Sequence, residues 1–237
     1  MSDFRARLQP KSLTDASDVL GPRDEGNILL PLYSTNGVLF PFRPAVSVSY
    51  TADYTTPEYI HSNYTFNTYK KSSVSGITIK TEFTSQTNDE ALYTLAALHF
   101  FRTCTKMYFG VNPYRKAGTP PPVLYFSYLG DYQFNRVPVI IRKFGYDFPT
   151  GEDYVCLEAN NDIIRSSFID VNFPVNSGTD AITANGPGTS TNKGTIYLPA
   201  IMTFTIDLDT QYIPIKVRNE FNLDEYRTGK LLSKGYL

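Results

Sequence analysis

The sequence predicts a mainly β chain, an antiparallel β-sandwich or partial barrel with one buried flanking α-helix at about residues 88–104. Three observations predict it. Tyr and Phe, which suit half-buried pleated surfaces, number 18 and 16, while Trp is absent. The run GITIKTEFT alternates: Ile77, Ile79 and Phe83 face one way and Thr78, Lys80, Glu82 and Thr84 the other, as in an antiparallel sheet with one wet face. Only one long segment, after Thr87, joins helix-start chemistry to an extended apolar body. At 237 residues the chain can form one large β domain with its own core.

Residues 1–44 read as an extended N-terminal arm. The first 27 are polar and show no sustained period, and Ile28 to Pro44 carries Pro31, Pro41 and Pro44 around a turn at Thr35–Gly37. Such a stretch suits an irregular edge or an arm lying on another surface. Residues 45–218 read as a single β-rich domain. In VSVSY, Val46, Val48 and Tyr50 share one face, and the aromatic, Thr-rich stretch Tyr59–Tyr69 reads as another strand. The alternating run from Gly76 to Thr84 follows.

Thr87 and Glu90 then form a capping box, with Asp89 and Glu90 at the positive end of the helix dipole. The body ALYTLAALHFFRT puts Leu92, Leu95, Ala96 and His99 in one stripe, and Leu98, Phe100 and Phe101 elsewhere. A helix apolar almost all round is covered by more than one surface, here its own sheet and a neighbouring subunit. Next come KMYFG, a Pro-rich loop at Asn112–Pro122 and the strand VLYFSYLG. The runs Arg136–Phe148 and Asp153–Glu158 read as a hairpin around Pro149, Thr150 and Gly151. Residues 174–195 read as a long flexible loop, since 16 of those 22 residues are Gly, Pro, Ser, Thr or Asn. LPAIMTFTIDLD and YIPIKVR read as two last strands, and 219–237 as a charged or weakly helical C-terminal arm.

The residues show no constellation for turnover. Lys plus Arg is 22 against 23 Asp plus Glu, a net charge of −1, which argues against an electrostatic grip on nucleic acid. His99 and Cys104 lie five apart on one helix, about 140° around it, too far for a nucleophilic pair. Asp207 and Asp209 share a strand face, which suits solvated residues more readily than glycoside hydrolysis or a divalent ion. Asn160, Asn161 and Asp162 are first a turn signal, and Pro187 removes an N–H that a phosphate cradle at Gly186–Gly188 would need. The aromatic and basic residues of Tyr108–Lys116 read as a loop packed by its own Tyr side chains. Cys104 and Cys156 form no CxxC motif and read as small buried hydrophobes of a reducing compartment. The charged N-terminus is not a secretory signal, and no apolar run approaches the ~20 residues that span a bilayer. Synthesis in a cytoplasm is expected, with no catalytic residue, metal, cofactor, membrane or small-molecule substrate.

The run SVSGITIKTEFTSQTNDEALYTLAALHFFRTCTKMYFG resembles a segment of the baseplate tube-initiator and tail-tube proteins of contractile-tailed phages. There too an alternating strand, here Gly76–Thr84, leads into a capped helix that begins N/D-E-A. It ends in an aromatic-basic cluster, here His99, Phe100, Phe101 and Arg102, ahead of a short strand and Gly110. The resemblance extends over Val38–Glu158 and is strongest from Ser73 to Gly110. It implies a structural virion subunit forming a hexameric ring, each copy lending about four strands to a barrel around an axial channel. On that reading Thr78, Lys80, Glu82 and Thr84 face the lumen. Leu92, Leu95, His99, Phe100, Phe101 and Arg102 form a subunit-interface helix. The implied partners are further copies of the chain and neighbouring tail-tube, baseplate-hub or sheath proteins, with DNA only as passing cargo. From another class, a carbohydrate- or receptor-binding β-sandwich of a virion fits the Tyr richness; an Asp207/Asp209 hydrolase and a jelly-roll capsid protein fit less well.

Overall fold

The structure, a computed structural model, describes residues 4–11, 13–23, 27–58, 60–109, 118–151, 153–157 and 196–237. The expected loop at 174–195, Gly110 and the turn at Asn160–Asp162 lie outside the described residues. The fold is mainly β. Its strands are β1 (Arg7–Pro10), β2 (Val38–Leu39), β3 (Ala45–Thr55), β4 (Thr68–Thr84), β5 (Leu124–Tyr128), β6 (Phe134–Asp147), β7 (Tyr154–Leu157), β8 (Ile196–Pro199) and β9 (Ile201–Thr210). Seven form one antiparallel sheet in the order β2-β1-β5-β6-β9-β4-β3, and β7 pairs with β8 apart from it. Among the described residues the large sheet is open, not closed into a barrel.

The helix expected at 88–104 is α2 (Asn88–Thr103), the second helix after α1 (Leu13–Leu20). The Glu90 N–H donates to the Thr87 hydroxyl at 3.3 Å, while the Glu90 carboxylate accepts from the Gln86 N–H at 2.9 Å, one residue before the box's usual partner. Thr87→Ala removes this cap and should cost about 1 kcal/mol in urea denaturation; an unchanged midpoint would mean water replaces the cap without loss.

A second layer over one face of the sheet makes the fold sandwich-like. It consists of α2, the β7–β8 pair, α1 and a 3-10 turn at Leu30–Tyr33. Between the layers sits an aromatic core: Phe101 lies 5.0 Å from Phe144, 5.7 Å from Phe100, 6.0 Å from Phe204 and 6.4 Å from Phe40. Ser85 and Thr94 join sheet to helix by a buried hydroxyl pair at 3.0 Å.

Several expectations need correction. The described part of 1–44 is no extended arm. β1 inserts between β2 and β5, and Ala6, Leu8, Leu20, Leu32, Val38 and Phe40 are buried. The C-terminal segment likewise docks back, as α3 (Pro214–Glu220), α4 (Leu223–Arg227) and a 3-10 turn at Leu232–Lys234. Tyr236 stacks on Tyr212 at 5.3 Å and Leu231 is buried. YIPIKVR is therefore largely helical, because Pro214 at the first helical position suits a helix start. β6 and β7 do not pair with each other; β7 takes β8 instead. Residues 60–67 are not strand, and 105–109 are not strand either. Cys104 is buried as expected, whereas Cys156 is exposed on β7.

Candidate assembly surface

The sheet face turned away from the core is built in rows across four long strands. Register places Ala45, Lys80, Thr205 and Gly145 level with one another, then Ser47, Thr78, Asp207 and Lys143, and then Glu82, Thr203 and Asp147. Thr78, Lys80, Glu82 and Thr84 therefore share the outer face, with Lys80 and Glu82 exposed and the threonines half-buried. Ile77, Ile79 and Phe83 lie in the core beneath, with buried Thr81 between them. The Thr78 hydroxyl donates to Asp207 at 2.8 Å, and Arg142 pairs with Asp209 at 3.4 Å. Cations (Lys80, Arg142, Lys143) and carboxylates (Glu82, Asp147, Asp207, Asp209) are mixed over this face, so it carries no strong field of one sign.

Among the described residues, both flanks of this four-strand block are open. On one side β3 pairs with β4 and with no other described strand. On the other, β5 reaches only the first part of β6, to Val139, so among the described residues Ile140–Asp147 pairs with β9 alone. A register shift at Arg142, where two β6 residues oppose one of β9, separates the β6 segment paired with β5 from most of this open segment. Beyond Gly76, β4 leaves β9 and continues with β3 as a two-stranded ribbon. The ribbon exposes Tyr50, Tyr54 and Tyr69, and its connection exposes Ile60, Tyr64 and Phe66. A Tyr54–Tyr69 edge contact at 5.8 Å and a Lys71–Asp53 pair at 3.6 Å hold it.

The residues expected to make α2 an interface helix are divided. Leu92, Phe100 and Phe101 are buried inside the chain, because the 3-10 turn at Leu30–Tyr33, α1 and β7 cover the sides that the sheet leaves open. They present nothing to a neighbour. Leu95 is half-buried, and only His99 and Arg102 are exposed. Arg102 packs over the Tyr146 ring at 4.8 Å and donates to its hydroxyl at 2.5 Å. Partial burial, and then the Arg102 guanidinium, hold the His99 imidazole below its usual pKa.

Nothing gathers for catalysis among the described residues. Burial pushes the Cys104 thiol far above its usual range, and His99 lies at the surface. Asp207 and Asp209 are engaged by Thr78 and Arg142. No group of three His, Cys, Asp or Glu side chains could hold a metal ion among the described residues. No described helix is long and apolar enough to cross a membrane. Of Tyr108–Lys116, only Tyr108 and Phe109 are described, and the Tyr108 hydroxyl donates to the Asp18 carbonyl at 2.7 Å.

Sequence reasoning missed the open edge at Ile140–Asp147. Its signal was the doublet pattern IIRK, two apolar residues and then two charges, which breaks the alternation at the bulge. Compared with known proteins, the chain matches no family profile and no curated protein.

Proposed function

We propose that the chain is a structural ring subunit of a phage tail tube at its baseplate end, templating or extending the tube through which DNA passes. The observation that carries this reading is the block β3–β4–β9–β6 with, among the described residues, an open strand on each flank. Neighbours within it are all antiparallel, so β3 and β6, three strands apart, run in opposite directions. A β3 edge meeting the β6 edge of the next copy continues the antiparallel order, and head-to-tail contacts that close generate a ring. Closure also removes two exposed edges that otherwise invite aggregation.

The outer face would then line the channel, with Thr78, Lys80, Glu82 and Thr84 at its centre. Its mixed charges suit a passing polyanion, since neither strong attraction nor strong repulsion would hold DNA in transit. The aromatic ribbon is suited to a neighbouring copy or a stacked tail protein, because exposed aromatic patches mark interaction sites.

Electron imaging with mass measurement tests the reading, on the purified chain alone and mixed with the neighbouring ring protein. Six-fold rings or short stacked tubes with an axial channel are expected, at least in the mixture. A monomer or trimer in both samples, with a melting temperature raised by a sugar, would instead establish the carbohydrate-binding reading.

A further inference from the structure

Apart from the sheet edges, the chain's termini and centre enclose a groove of about 810 Å³. Its walls come from the end of β1 and α1, the exit of α2, the Pro-rich approach to β5, the start of β6, and the C-terminal segment. Met107, Pro122, Tyr125 and Ile213 give it an apolar floor and sides, and Met107 and Ile213 remain about half exposed, so it opens to solvent. Among the described lining residues five are cations (Lys11, Lys106, Arg136, Lys216 and Lys234), against the single carboxylate of Asp18.

We propose that this groove docks an acidic, amphipathic peptide segment of a partner protein, apolar side chains on the floor and carboxylates on the basic rim. The charge pattern selects the occupant. An overall charge of −1 makes five cations around one opening a local feature, complementary to carboxylates. Lys216 and Lys234 pair with Glu220 at 3.8 Å and Glu225 at 3.9 Å; such exposed pairs are worth little and exchange readily for a bound acid. Arg136 stacks over the Tyr125 ring at 4.8 Å, which holds its guanidinium for a bidentate carboxylate. An apolar centre within a polar rim is the anatomy of a protein interface. Nucleic acid would call for a longer basic track along its phosphates. The volume lies within the ~300–1,000 Å³ of ligand pockets, but the open side favours a segment of chain over an enclosed small molecule.

The test is fluorescence polarisation at low salt with a dye-labelled peptide alternating Glu with Leu and Phe. The same peptide with Lys for Glu and a labelled oligothymidylate serve as comparisons. The full chain should bind the acidic peptide with Kd of about 10 μM and the basic one at least about tenfold more weakly. Lys11→Glu with Lys106→Glu, both exposed in the wild type, should leave the melting temperature unchanged and weaken acidic-peptide binding about tenfold or more. Absence of acidic-peptide binding, equal binding by the reversed variant, or equal affinity for oligothymidylate would each overturn the assignment.

Discussion

Phe101→Ala should remove about 3–5 kcal/mol of folding stability, read as a lowered urea midpoint of the isolated chain. The ring is fully buried at 0% exposure and lies within 6.4 Å of Phe40, Phe100, Phe144 and Phe204, which come from the N-terminal segment, α2, β6 and β9. Truncation loses the transfer free energy of the ring and leaves a cavity between layers that rigid aromatic neighbours cannot collapse to fill. Since natural domains hold only about 5–15 kcal/mol, this is a large share of the total. Had α2 used Phe101 against a neighbouring copy, the same substitution would spare the isolated chain and weaken only assembly. A midpoint shift worth under about 1 kcal/mol would therefore restore the interface-helix reading.

Gly37→Ala should cost about 3 kcal/mol in the same assay. Gly37 has φ +123, a conformation that L side chains rarely adopt, and a Cβ there would lie 2.3 Å from the Leu8 carbonyl oxygen and 2.9 Å from the Gln9 Cα. Those atoms belong to β1, so relief requires moving a strand, combining backbone strain with overpacking of about 1–3 kcal/mol each. Residues 1–44 as an arm held by another molecule would make the substitution nearly silent in the isolated chain. A destabilised monomer is the expected result, and it distinguishes a segment built into the sheet from one resting on a neighbour.

What the sequence revealed follows from how local the signals are. The alternation of β4 and β9 needs no partner to be seen, and the Thr87/Glu90 cap marks the start of α2 by itself. The N-terminal segment was hidden because β1 is only four residues long, in a charged context, and its apolar alternation (Ala6, Leu8, Pro10) is as brief. In YIPIKVR, Ile213, Ile215 and Val217 alternate like a strand, yet proline's fixed φ starts a helix at Pro214. At residues 60–67 the composition is strand-like, but Ser62 bonds the Tyr64 carbonyl at 2.7 Å and accepts its N–H at 3.2 Å, a local turn that competes with pairing. The hairpin expected from Pro149–Gly151 failed because a turn signal says nothing about which strand its neighbour will pair with.

The candidate site divides the same way. The outward set Thr78, Lys80, Glu82 and Thr84 was legible from period alone. The helix set was not, since all-round apolarity states only that α2 is covered. That the cover is the chain's own N-terminal segment together with β7 is a tertiary fact. The two edges and the groove at the C-terminal segment depend on which strands stop short and where the termini return; the IIRK doublet marks the bulge in β6 but not which strand ends beside it, and the groove leaves no local trace.

Amide hydrogen exchange, compared between the isolated chain and its assembled particle with the neighbouring ring protein, tests most directly whether the chain builds through its open edges. Outward amides of β3 and of Ile140–Asp147 should slow by at least about tenfold on assembly, while the already paired centres of β4 and β9 change little. Equal exchange at both edges in the assembled particle, or no particle at all, would contradict it.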